Sequence, residues 1–154
     1  MSATKDQVFE YIDKMTILEM SEFIKEFEEK AAKFYEELSE RYPEGEDVFL
    51  SFAKENRKYF SQIQRAYYSV ITDAIEGCFA FDLETNDYAL DTDLPEGTSY
   101  TDAVAKALAL EEKIIEFYDV AADQSMSLMA DVPRNFKIVV RKRKDRIARL
   151  KSLV

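Results

Sequence analysis

The chain has 154 residues, 47% of them hydrophobic and 34% charged, with a formal net charge of −10. It contains no His, no Trp, one Cys, three Gly and three Pro. That length suits a single domain with a real core, and so few Gly and Pro argue against an all-β fold, which needs turn residues every few positions. Without His there is no Ser-His triad, His general base or His-ligated metal, and a lone Cys78 allows neither an internal disulfide nor a Cys-cluster metal site.

The opening residues lack a basic stretch followed by an apolar one, and no window approaches the apolar length needed to span a membrane. A reduced, cytoplasmic location is expected. A short helix is predicted over residues 4–14, where Val8, Phe9, Tyr11 and Ile12 form an apolar stripe. Thr16 and Glu19 have capping-box spacing, so a second helix starts near Ile17 and runs to about Arg41. Pro43, Glu44 and Gly45 make a turn, and a third helix covers about 47–75. A long connection over 76–99 carries Phe79, Phe81, Tyr88 and Leu90, which are expected to pack across the bundle. A fourth helix covers about 101–126. A fifth begins near Pro133 and runs to about Ser152. Four long helices, two tight connections and one long one describe an all-α four-helix bundle with a single crossover between its second and third helices. Residues 1–15 then form a short N-terminal helix and 16–154 the bundle.

Charge is unevenly spread. Residues 134–154 carry a net +8, which leaves −18 for residues 1–133. The simplest reading is a basic last helix packed against acidic neighbours; an acidic body repels nucleic acid, so that partner is not expected. Cys78 reads as a small hydrophobe, and Tyr67-Tyr68 as a pair that could form an interface patch.

Each long helix has an apolar seam with polar residues near its middle. The exceptions are Glu28 in the first, Asn56 and the polar-tipped Tyr59 in the second, Glu111 in the third, and Arg143 and Arg146 in the fourth. Aligned helices bring these six to one level of the core. A buried isolated charge is costly, so such groups must pair or bind something. Glu28-Glu29-Lys30 followed by Phe34-Tyr35 repeats as Glu111-Glu112-Lys113 followed by Phe117-Tyr118, one copy opening each helical hairpin.

On these paired Glu-Glu-Lys…Phe-Tyr helices, residues 16–153 resemble the rubrerythrin-like branch of the ferritin-like superfamily. The resemblance implies a ferritin-like bundle in which the first and third helices each give one metal-binding Glu, here Glu28 and Glu111. It also implies a Glu-x-x-His motif in the second and fourth helices, completing a di-iron centre. Both motifs are missing. Asn56 and Tyr59 stand in one, Arg143 and Arg146 in the other. Two guanidiniums can supply the positive charge of two divalent ions, so a buried Glu/Arg cluster without metal is the leading expectation, with no catalytic residues and no cofactor. Two other readings stay open: an iron or manganese site using a shifted Glu55 or Glu29, and a small anion held by the two Arg.

Residues 1–30 also resemble the N-terminal helical hairpin of the bacterial ribosomal stalk protein, through Met1–Val8, Met15–Met20 and Phe27–Lys30. That resemblance implies self-association and attachment to a protein partner. Three functions follow. The first is a non-catalytic binding or structural protein, dimeric, with a lost di-iron site. The second is a di-metal oxidoreductase acting on peroxide or dioxygen. The third is a protein-partner module that uses residues 1–15.

Overall fold

The computed structural model describes residues 14–71, 81–125 and 131–154. The predicted short helix over 4–14, Cys78 and Phe79 fall outside the described residues, except Lys14. Lys14 and Met15 are extended (β1) and pair antiparallel with Phe81–Asp82 (β2) in the register Lys14↔Asp82, Met15↔Phe81. Four long helices follow: α1 (Ile17–Arg41), α2 (Glu46–Ile71), α3 (Tyr100–Gln124) and α4 (Asp131–Lys151). The chain is all-α in class, and the two-residue strand pair is a clasp between the start of α1 and the crossover.

Local chemistry sets the ends. The Thr16 side chain accepts from the Glu19 N–H at 3.1 Å, satisfying one orphan donor of α1. The Thr16 hydroxyl also faces Glu19 Oε1 at 3.2 Å. At the other end Tyr42 leaves the helical region (φ −131°, ψ 88°), because the following Pro43 disfavours helical geometry before it. The turn Pro43–Gly45 is one 3-10 turn. A Cβ on Gly45 would lie 2.6 Å from a Phe49 ring carbon, so only Gly allows this close packing. Ser99 caps α3 by accepting from the Asp102 N–H at 3.1 Å.

Side-chain pairings fix the helix directions. Glu28 of α1 meets Tyr118 of α3, while Tyr35 of α1 meets Glu111, so α1 and α3 are antiparallel. Phe52 of α2 meets Arg146 of α4, and Tyr59 meets Lys142, so α2 and α4 are antiparallel as well. The tight turn makes α1 and α2 antiparallel, which leaves α2 and α3 parallel. A parallel pair needs a connection that returns the length of the bundle, and this is the reason for the long crossover. One end is stitched by Gln124 of α3, which exchanges two 2.7 Å hydrogen bonds with the Asp82 backbone. The other end is gripped by Arg41, donating to the Leu94 and Pro95 carbonyls at 2.5 and 2.8 Å, and by Tyr42, donating to Thr98 O at 2.6 Å. Phe81, Tyr88 and Leu90 of the crossover are buried, as expected.

Two aromatic layers close the core. Phe23, Phe27, Tyr88 and Tyr118 gather around Phe117 with ring centroids 5.0–5.3 Å from it. Nearer the α1–α2 turn, Tyr35 packs on Phe52 at 5.3 Å and on Phe49 at 6.3 Å. Between the layers lies a level that is polar.

The acidic-neighbour reading of the last helix holds for part of it only. Arg143 and Arg146 are buried against carboxylates, whereas Arg141, Lys142, Lys144 and Lys151 are exposed and make no ion pair among the described residues. No helix of the described residues is long and apolar enough to cross a membrane.

Candidate functional site

All six seam exceptions meet at one level. Glu28, Asn56, Tyr59, Glu111, Arg143 and Arg146 are each at most 2% exposed. Helical spacing explains the convergence: each sits on the inward stripe of its helix, and the antiparallel register brings the four stripes level.

Arg143 is the hub. Its Nη1 donates to Glu111 Oε2 at 2.8 Å, and its Nη2 donates to Glu28 Oε2 in a short contact and to Asn56 Oδ1 at 3.1 Å. One guanidinium therefore bridges the two carboxylates, using its planar fork. Arg146 donates through Nη1 to Glu111 Oε1 at 3.0 Å and to Asn56 Oδ1 at 2.5 Å. Its Nη2 reaches the Phe52 carbonyl at 3.3 Å and Glu55 Oε2 at 3.4 Å. The Phe52, Tyr35 and Tyr59 rings surround its guanidinium carbon at 4.4, 5.4 and 5.6 Å, a favourable cation–π setting away from water.

The second carboxylate oxygens are closed by the repeat. Tyr35 donates to Glu111 Oε1 and Tyr118 to Glu28 Oε1, both at 2.6 Å. These tyrosines complete the cluster, although neither is among the polar exceptions on the four seams. The signal lay in the repeat, since Glu and Tyr seven residues apart share one helix face and antiparallel copies exchange partners. Glu55, half-exposed, also joins by accepting from Tyr59 at 2.7 Å.

The two buried acids differ electrostatically. Burial raises the Glu28 carboxyl above the usual carboxylate range and outweighs the opposing Arg143 charge and Tyr118 hydrogen bond. Burial raises Glu111 too, but Arg143, Arg146 and the Tyr35 hydroxyl together hold it below that range. Burial pushes the Tyr35 phenol well up, reinforced by the Glu111 charge. Burial likewise raises Tyr59, aided by its bond to Glu55. Among the described residues, three buried side-chain atoms lack a partner: Asn56 Nδ2, Arg143 Nε and Arg146 Nε.

These residues do not fit a di-iron centre of the kind the family resemblance implies. Hard cations need several free oxygen ligands. Both buried carboxylates are already engaged by guanidiniums, and Asn56 offers its oxygen to the same two arginines. Among the described residues no group of three His, Cys, Asp or Glu side chains is arranged to hold a metal. The shifted ligands considered from sequence are occupied as well: Glu29 pairs with Arg57 at 3.0 Å on the surface, and Glu55 with Tyr59 and Arg146.

Comparison with known proteins concerns the other end of the chain. The model of the ribosomal protein L7/L12 dimerisation domain matches residues 4–30. The large ribosomal subunit protein bL12 of Nitratidesulfovibrio vulgaris (strain DP4) is 70% identical over 30 residues, which cover 20% of this chain and 24% of that protein. The bL12 protein of Lawsonia intracellularis is 67% identical over 30 residues, covering 20% and 23% respectively. The chain thus spans about a quarter of the length of the curated relatives it matches. No solved structure matches it. The matched segment ends inside α1, two residues past Glu28, and α1 continues without a break to Arg41.

Proposed function

We propose that this protein is a non-enzymatic, partner-binding four-helix module, derived from a rubrerythrin-like ferritin-like bundle whose di-iron site has become a Glu/Arg cluster. The observation that carries this reading is the position of Arg143. Its guanidinium bridges Glu28 and Glu111, the two acids that match the family's metal ligands, and stands where they would share a cation. The single crossover between parallel second and third helices supports the ferritin-like part, as does the mirrored Glu–Tyr exchange. Fold alone does not assign an activity, and the chemistry left at this level is that of a filled core.

Residues 1–30 supply the partner-binding half of the proposal. Their match is to a dimerisation domain of a ribosomal protein, which favours self-association or docking to a protein partner through the N-terminal segment. The oxidoreductase reading, with iron or manganese, is the weaker one, because it requires ligands that are here bound to Arg and Tyr. The test is a chain lacking residues 1–13, cut ahead of Lys14 so that the β1–β2 pairing survives. Light scattering should show association for the full chain and its loss in the shortened one, with unchanged helical circular dichroism. A shortened chain that associates as before contradicts the assignment.

A further inference from the structure

A groove of about 480 Å³ opens between α2 and α4, on the outer side of the buried cluster. That size is typical of small-molecule sites. Its floor includes Arg146, which is 2% exposed. The cluster consumes Nη1 of this guanidinium, but Nη2 has only the 3.3 and 3.4 Å contacts and Nε has no partner. A buried guanidinium with one unspent N–H, lining an open groove, is a built feature. The walls bring the Phe52 and Tyr59 rings.

The rim adds Lys58, Lys142 and Arg149, all exposed. None of them makes an ion pair among the described residues; Lys142 lies 5.6 Å from the Tyr59 ring centroid, and Arg149 reaches only the Ser152 hydroxyl at 3.4 Å. Glu55 and Asp145 are the acids of the lining. Arg146 is balanced by Glu111, so the three rim cations against these two acids leave the groove at +1 on a protein whose net charge is −10. A phosphate monoester, anionic at neutral pH and carrying three acceptor oxygens, can meet three of these donors at once, which the two oxygens of a carboxylate cannot, and it suits guanidinium donors.

We propose that this groove binds a small phosphomonoester, its phosphate held by Arg146, Lys142 and Arg149 and its organic part lying against Phe52 and Tyr59. This inference stands apart from the partner-binding reading, since it involves no residue of the N-terminal segment.

The experiment is titration of the full chain with phenyl phosphate and, separately, with inorganic phosphate, followed by calorimetry and amide chemical shifts. Phenyl phosphate should saturate one site, shift α2 and α4 amides around the groove, and bind more tightly than inorganic phosphate. The double change Lys142→Gln and Arg149→Gln should weaken it by about tenfold or more, the scale of one lost charge-assisted contact. Lys144→Gln alters an exposed cation of α4 outside the lining and should leave affinity within about twofold. Because all three positions are exposed, folding is preserved in both variants. Absence of saturation, or equal weakening by Lys144→Gln, overturns the site. Equal affinity for the two probes overturns the assignment of an organic ligand.

Discussion

Tyr118 of the third helix donates its hydroxyl to Glu28 of the first at 2.6 Å, and the same bond is made in mirror by Tyr35 to Glu111. The repeated motif thus pairs across copies: each Glu meets the other copy's Tyr. Each carboxylate then has one oxygen bonded to a neutral phenol and the other to the Arg143 fork. Changing either Tyr to Phe removes one such bond to a charged group and should lower stability by about 1–3 kcal/mol in urea unfolding. The loss of both should not add, because both act on one connected network.

Arg143 should be the most sensitive position of the molecule. Arg143→Met strands two buried carboxylates and should cost about 3–5 kcal/mol. Replacing all four charges together (Glu28→Leu, Glu111→Leu, Arg143→Met and Arg146→Met) should recover most of that loss or exceed the parent's stability by about 1–4 kcal/mol, since no charge is then left unpaired. Comparing the midpoints of the two variants checks this. If the fourfold variant is as damaged as the single one, the cluster does more than fill the core.

The pH dependence separates the two acids. Glu28 has a raised folded-state pKa, so its contribution is fully present below the unfolded carboxylate value and is lost as pH rises through the folded one. Glu111 is depressed, so its contribution is present above the unfolded value and is lost as pH falls through the folded one. The stability of Glu28→Gln relative to the parent should therefore grow as pH rises from about 4 toward neutrality. A difference that shrinks over that range means that Glu28 stays ionised in the folded state.

Rebuilding the implied ligand set is a gain-of-function check. Asn56→Glu and Tyr59→His in α2, with Arg143→Glu and Arg146→His in α4, should create an iron site beside Glu28 and Glu111. Binding of iron, followed by absorption and by raised thermal stability on loading, is the expected outcome. A folded variant that takes up no metal means that these positions do not share a ligand level.

Much of this was legible in the sequence because long amphipathic helices announce themselves. Thr16 and Pro43 mark boundaries that the backbone obeys, and the polar residues on four seams meet as their spacing required. What escaped was information carried between helices. That Tyr35 and Tyr118 serve the cluster depends on antiparallel register, which periodicity within one helix cannot report. The groove escaped because it joins α2 residues 52–59 to α4 residues 142–149, and neither set is unusual alone. The extended Lys14–Met15 escaped for a like reason: its hydrogen bonds lie with Phe81–Asp82, far along the chain.

The most direct measurement is metal content by mass spectrometry on untagged protein made with iron and manganese supplied. An interior closed by Arg143 predicts less than about a tenth of an equivalent of either metal per chain, since both buried carboxylates are already spent on guanidiniums. One or two equivalents, lost on Glu28→Gln or Glu111→Gln, would contradict the account and make those two residues metal ligands.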